Sequence, residues 1–181
     1  MSGQARILLV SGSTRGGSAN TAALATAAAI APSQVAPVRY DGLAALPAFN
    51  PDDDGDRLPE APARLRREIA GSDAVLFCTP EYAGTLPGSL KNLLDWTVGG
   101  GEFAGKPAAW INVAVGGRGQ GAEDTLASVL GYVDADIVEA ACRRIPVDRA
   151  AIGPDGTVIG LEFALEMAEV WDALLSHLGR R

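Results

Sequence analysis

Apolar residues in this chain come in short unbroken runs separated by longer stretches of mixed character. Residues 7–10 (Ile-Leu-Leu-Val), 74–79 and 107–115 are apolar almost throughout, the mark of strands buried on both faces. Residues 35–40 and 137–145 predict a second and a fifth strand. Between the strands the pattern turns helical. Residues 21–30 are nearly all Ala and Leu, a buried helix. Pro59 suits the first turn of a helix that carries Leu65 and Ile69 inward and stops at Gly71. Leu86, Leu90, Leu93 and Leu94 share one helical face, with Pro87 in the first turn. A fourth helix follows the glycines of 116–121 and runs to about Val133. Pro154-Asp155-Gly156 turns a small hairpin over 151–159. The closing helix, 161–178, is predicted to bury a stripe of Leu161, Leu165, Ala168, Asp172 and Leu175.

Five strands alternating with helices predict an α/β fold, a parallel sheet covered on both faces as a three-layer sandwich. With strand order 2-1-3-4-5, the switch point lies between the first and third strands, where such sheets bind their ligands. The two most distinctive loops of the chain follow those two strands. The length of 181 residues fits one domain spanning 1–181.

The first of these loops reads Ser11-Gly12-Ser13-Thr14-Arg15-Gly16-Gly17-Ser18-Ala19-Asn20. Free N–H groups and the positive end of the dipole favour an anion at the helix start. Ser13, Thr14, Ser18 and Asn20 add side-chain donors, Arg15 a fixed charge, and the glycines allow close approach. Capping the helix alone needs one hydroxyl, and this loop supplies several. Gly12 and Gly17 have the spacing of a triphosphate loop, but Ser18 stands where its lysine belongs. The loop therefore suits a single terminal phosphate.

Composition narrows the function further. A formal charge of -7 argues against general binding to nucleic acid or anionic membranes. No apolar run has membrane-spanning length, and the N-terminus lacks the pattern of a signal peptide. Cys78 and Cys142 lack metal or redox spacing, which suits buried thiols in a reducing cytoplasm. His177 as the one histidine argues against a zinc site or a Ser-His-Asp triad near the first loop. Asn50, Asp52, Asp54 and Gly55 imitate half a calcium loop, but Ala61 stands where the bidentate glutamate belongs, so a solvated acidic loop is expected.

Two motifs resemble the NAD(P)H-dependent FMN reductases of flavodoxin-like fold. Gly12, Ser13, Arg15, Ser18 and Asn20 match the family's strand-G-S-x-R-x-x-S-x-N. Thr79, Pro80, Glu81, Tyr82, Pro87, Leu90, Lys91, Asn92, Asp95 and Trp96 match its second pattern. Ala83 departs from it, standing where the family carries asparagine. A flavin contact made by that side chain in relatives would be absent here.

The resemblance implies non-covalent FMN, its phosphate held by Ser13, Thr14, Arg15, Ser18, Ala19 and Asn20. The ring would lie against Pro80, Glu81, Tyr82, Ala83 and Gly84, with Val115 and Gly116 flanking it. It implies an enzyme in which hydride passes from NAD(P)H to FMN and then to a small acceptor: a quinone, an azo compound, a metal oxyanion or free flavin. The flavin carries the chemistry, so no catalytic side chain is expected. A flavodoxin-like electron carrier reduced by a partner protein is the alternative. Gly117, Gly119 and Ala122 also satisfy the dinucleotide fingerprint G-x-G-x-x-A, which leaves a nucleotide-binding protein as a third reading. Apolar Leu93, Leu94, Trp96 and Val98 exceed what one buried helix face requires and predict a homodimer or tetramer. Gly99, Gly100 and Gly101 are expected to leave the site's rim open.

Overall fold

The computed structural model describes residues 3–180. Strands β1 (Ala5–Ser11), β2 (Val35–Tyr40), β3 (Ala74–Cys78) and β4 (Pro107–Asn112) are joined by helices α1 (Ala19–Ala29), α2 (Glu60–Ala70) and α3 (Gly88–Asp95). Helix α4 (Gln120–Tyr132), the short strands β5 (Asp136–Ile137) and β6 (Arg143–Arg144), and α5 (Leu161–His177) complete the chain. All pairings between these strands are parallel, in the order β2-β1-β3-β4-β5, with β6 also on β4. This is the flavodoxin-like arrangement the alternation of strands and helices predicts.

Alternation along the strands divides the core in two. Ile7 and Leu9 of β1, Leu76 and Cys78 of β3, and Ala109 and Ile111 of β4 face the small side chains of α1 and the large ones of α5. Leu8, Val10, Val75, Phe77 and Ala108 face the other way, onto α2, α3 and α4. Both faces of β1 and β3 are therefore dry, which is why their sequences are continuously apolar. β2 is an edge strand, and Pro37 in its middle is tolerated there because one side of it has no ladder to complete.

Two expectations fail in instructive ways. The strand expected over 137–145 is two two-residue strands with a 3-10 turn, Glu139–Ala141, between them. Glu-Ala-Ala disfavours extended structure, and burying Ala141 under α5 draws the backbone out of the sheet. On α5 the buried face is Phe163, Met167, Val170, Trp171 and Leu174, while Leu161 and Leu165 are 75% and 60% exposed. The expected stripe carried Asp172; the observed one buries larger and more apolar surface, and area decides which face turns inward.

The carboxyl ends of β1 and β3 touch. The Gly12 N–H donates to the Cys78 carbonyl at 2.9 Å, and a Cβ on Gly12 would lie 2.2 Å from Thr79 Oγ1. Only glycine lets the first loop leave the sheet so close to the second. The three glycines after Val98 lie elsewhere. Gly99 packs on the Asp54 carboxylate and Gly100 on that of Glu102, beside Arg66, whose guanidinium bonds Asp54 at 2.5 Å and the Trp96 carbonyl at 2.7 Å. Burial raises the Glu102 pKa above the ordinary carboxylate value. This turn is a packed ionic junction and not an open rim.

Candidate functional site

The loop between β1 and α1 is shaped by its own hydroxyls. Ser11 Oγ accepts from the Ser13 N–H at 3.3 Å, and Ser13 Oγ from the Arg15 N–H at 3.3 Å. Ser18 is the N-cap of α1: its Oγ accepts from the Thr21 N–H at 3.1 Å and donates to Thr21 Oγ1 at 2.9 Å. The next donors, the N–H groups of Ala19 and Asn20, open the helix and have no carbonyl four residues back within it. Asn20 is buried, and its Oδ1 accepts from the Cys78 thiol at 3.3 Å, which commits the oxygen and leaves the amide nitrogen to the space above. Burial raises the Cys78 thiol pKa strongly, so it stays protonated and inert.

After β3 the chain makes a tight hairpin. Tyr82 and Thr85 exchange backbone hydrogen bonds at 3.0 and 3.1 Å, and the two residues between them, Ala83 and Gly84, have φ of 51° and 76°. Positive φ at both central positions is the geometry of a type I′ turn. The hairpin is bolted to α4. Glu81 Oε2 accepts the Gly121 N–H at 2.8 Å, and Thr85 and Thr125 share a hydroxyl bond at 2.9 Å. A Cβ on Gly121 would lie 2.1 Å from the Gly84 carbonyl oxygen.

The loop between β4 and α4 hangs from Asn112. This buried amide accepts the Ala114 N–H at 2.9 Å and donates to the Arg118 carbonyl at 3.2 Å. Gly119, with φ of 98°, passes so close that a Cβ would lie 2.3 Å from the Asn112 amide. Glu81 and the Gly84 carbonyl already fill the space before α4. At the fingerprint 117–122 the Gly121 N–H is thus taken by a carboxylate of the chain itself, whose charge also opposes a phosphate there.

These three loops enclose a cavity of about 360 Å³ over the switch point. Ser13, Arg15, Ser18, Ala19 and Asn20 line it from the first loop, and Pro80, Glu81 and Tyr82 from the second. Val115 lines it from the third. Of the other expected site residues, Thr14 faces a neighbouring cleft, while Ala83, Gly84 and Gly116 lie outside the cavity wall. Thr79, Val113, Ala114, Arg118 and Gly119 complete the wall, together with Val147 and Arg149 from the segment after β6. Those last two carry no local motif. Only the register that brings β6 beside β4 places them there.

Leu93, Leu94 and Trp96, the grounds for expecting an oligomer, are fully buried in the chain's own core; Val98 alone of that set is exposed. No helix among the described residues is long and apolar enough to cross a membrane, and no cluster of metal-ligating side chains occurs among them.

Comparison with known proteins agrees with this geometry. The sequence profile described as NADPH-dependent FMN reductase matches residues 5–144. An NAD(P)H-dependent FMN reductase of Pseudomonas aeruginosa is 38% identical over 118 residues, 64% of this chain and 63% of that protein. A 2-hydroxy-1,4-benzoquinone reductase of Burkholderia sp. is 33% identical over 158 residues, 85% of each chain. The flavoenzyme NAD(P)H:(acceptor) oxidoreductase FerB of Paracoccus denitrificans superposes with a TM-score of 0.85 at 29% identity, covering 97% of this chain and 98% of its own. The chain belongs to the NADPH-dependent FMN reductase family, whose members are flavin oxidoreductases with FMN as cofactor and NAD(P)H as electron donor.

Proposed function

We propose that the cavity over the switch point is the FMN site of a quinone or azo reductase. The observation that carries the reading is the open N-terminus of α1, with the Ala19 and Asn20 N–H groups and the Arg15 guanidinium on one wall of a cavity whose far wall is the rigid hairpin. The donor set fits the cofactor. Backbone N–H groups, Ser13 and Arg15 suit a phosphate monoester, and Pro80, Tyr82, Val113 and Val115 offer a mostly apolar surface to a planar ring. Ser18 contributes through the cap, which orients the helix end, because its hydroxyl is committed to Thr21.

Bound FMN would supply the two-electron redox chemistry between nicotinamide and acceptor. The protein's part is positioning. Glu81, the one carboxylate of the cavity wall, is tied to the Gly121 N–H and acts as a brace for the hairpin. Asn112 holds the third loop in register against it. Pro80, Glu81 and Tyr82 of the hairpin would hold the ring, and with one cavity mouth to share, NAD(P)H and the acceptor would bind in turn, in a ping-pong sequence. Small acceptors fit this opening, and the reductases of quinones and azo compounds among the relatives support that class. The same proposal takes residues 1–181 as one FMN-binding domain, built on a single sheet with its two covering layers. It places the enzyme in the cytoplasm, in keeping with two unpaired cysteines. It also keeps a homodimer or tetramer, for which Val98 just after α3 offers an exposed apolar side chain.

Absorbance of the purified protein under anaerobic NAD(P)H is the test. Bleaching by NAD(P)H alone, reversed by a benzoquinone, is the expected result; a yellow protein that bleaches only with a second protein present would make it an electron carrier. Light scattering at micromolar concentration checks the assembly, and a mass near the 18.6 kDa of one chain would reject the oligomer.

A further inference from the structure

The chain carries a formal charge of -7, yet the cavity over the switch point has the opposite sign. Arg15, Arg118 and Arg149 line it against one carboxylate, Glu81, which is already bonded to the Gly121 N–H. Arg15 stands in the first loop and is taken by the FMN phosphate in the reading above. The other two come from further along the sheet. Arg118 lies in the loop after β4, and Arg149 in the segment after β6, which pairs with β4. Neighbouring strands lie about 4.8 Å apart, which puts β6 roughly 14 Å across the sheet from β1. A single phosphate at the start of α1 does not span that distance.

The backbone that carries Arg149 is pinned while its head group is free. The Ile145 and Val147 N–H groups donate to the Asn112 and Val113 carbonyls at 2.8 and 3.0 Å. The Asp148 carboxylate accepts the Ala150 N–H at 2.9 Å and fixes the turn in which Arg149 stands. Among the described residues, no carboxylate pairs with Arg149 or with Arg118. Arg118 donates from Nε to the Val115 carbonyl of its own loop at 3.1 Å, which leaves its terminal nitrogens uncommitted. By contrast, Arg64, Arg66 and Arg67 of α2 all hold carboxylates. Arginines kept clear of carboxylates in an acidic chain are available to an anion from outside.

We propose that Arg149, with Arg118 on the same cavity, selects electron acceptors that carry a negative charge. Quinones bearing a sulfonate or carboxylate are the class, their charged substituent pairing with the guanidinium while the ring reaches the flavin. The inference rests on the flavin reading above and narrows its acceptors to anions. A cleft lined by one sign of charge concentrates ligands of the other, so the effect falls on capture of the acceptor. The reaction itself is unaltered. The quinone gains two electrons and two protons, one proton arriving with the electrons as hydride and one from water, and the charged substituent stays as it was.

The test reads the oxidative half-reaction alone. FMN-loaded protein is reduced with stoichiometric dithionite and mixed anaerobically with 1,4-naphthoquinone or 1,4-naphthoquinone-2-sulfonate. Flavin reoxidation is followed by stopped flow. NAD(P)H is absent, so its phosphates play no part in the result. Comparing variant with parent for each quinone cancels the difference in their reduction potentials. The second-order rate constant for the sulfonate, relative to the neutral quinone, should fall about tenfold in Arg149→Ala, the low end for a hydrogen bond to a charged group. It should fall further in Arg149→Glu, and added KCl should depress it more in the parent than in Arg149→Ala. Equal slowing with both quinones, or no change with either, overturns the proposal. So does a lower FMN content in Arg149→Ala than in the parent, which would put Arg149 on the flavin itself. A parent that takes up no FMN defeats the flavin reading, and that failure shows in the absorbance spectrum before any quinone is added.

Discussion

Helices α1 and α4 begin at the same edge of the sheet, after β1 and β4, and both follow a glycine-rich turn. Their N-termini have opposite fates. At α1 the cap is a serine hydroxyl turned back on its own helix, and the Ala19 and Asn20 N–H groups border an open cavity. At α4 the cap is Gly119 with φ of 98°, the Gly121 N–H is taken by Glu81, and the Gly84 carbonyl crowds Gly121. A helix N-terminus is an anion site only while the volume before it is empty. The turn with the closer match to the dinucleotide fingerprint is the one the fold has filled with its own carboxylate.

Closing α4 makes the hairpin after β3 rigid, and the strongest way to break that contact is at Gly121. A methyl there would sit 2.1 Å from a backbone oxygen that cannot rotate away. Gly121→Ala should lower unfolding stability by about 3 kcal/mol in denaturant titrations, the upper part of the range for overpacked sites. It should also weaken FMN binding by displacing Tyr82. Full stability in this variant would mean that α4 and the hairpin separate easily, and the contrast between the two helix ends would lose its mechanical meaning.

At α1 the corresponding change is Arg15→Ala. It removes the charged partner and leaves the N–H groups, so FMN affinity should fall by about 2 kcal/mol, roughly 30-fold, as for other hydrogen bonds to charged groups. Equilibrium dialysis of the apoprotein measures it. Unchanged affinity would move the phosphate away from this loop.

Converting the closed end toward the open one is the next step down in size. Glu81→Ala frees the Gly121 N–H and should cost about 1.5 kcal/mol of stability, the penalty for a half-buried donor that loses its acceptor. Glu81→Gln, which keeps an oxygen in place, should recover most of it. Sulfate should stabilise Glu81→Ala more than the parent, because an anion can then approach the vacated N–H.

How far the sequence announces all this depends on how local the cause is. The parallel sheet and its order follow from continuous apolar runs, and the first loop and hairpin from residues adjacent in sequence. The break over 137–145 was not legible, since Ala141 leaves the sheet to pack under α5, a partner twenty residues away. The exposed Leu161 and Leu165 reflect two apolar stripes competing on α5, of which the one with Phe163, Met167, Val170, Trp171 and Leu174 has the larger apolar area, a difference the sequence does carry. Arg149 and Val147 reach the cavity through β6, and Asn112 through its hold on the loop that follows. Leu93, Leu94 and Trp96 pack inside the chain because excess apolar surface on one helix can meet a second layer of the same chain as readily as another copy.

The smallest expected effect concerns Ala83, where relatives in this resemblance carry asparagine. The structure explains that asparagine without the flavin. Position 83 is the first central residue of a type I′ turn, its φ is 51°, and Asn-Gly is the favoured pair for such a turn because asparagine tolerates the left-handed region. Alanine there carries Cβ strain of about 1 kcal/mol, and its side chain lies outside the cavity wall. Ala83→Asn should therefore stabilise the protein by about 0.5–1 kcal/mol, seen as a higher denaturant midpoint with an unchanged slope. FMN affinity should change by less than about twofold, since a small gain in turn stability is all the site would feel. A large gain in affinity with no gain in stability would show instead that the asparagine side chain touches the flavin, and Ala83 would then mark a lost contact rather than a strained turn.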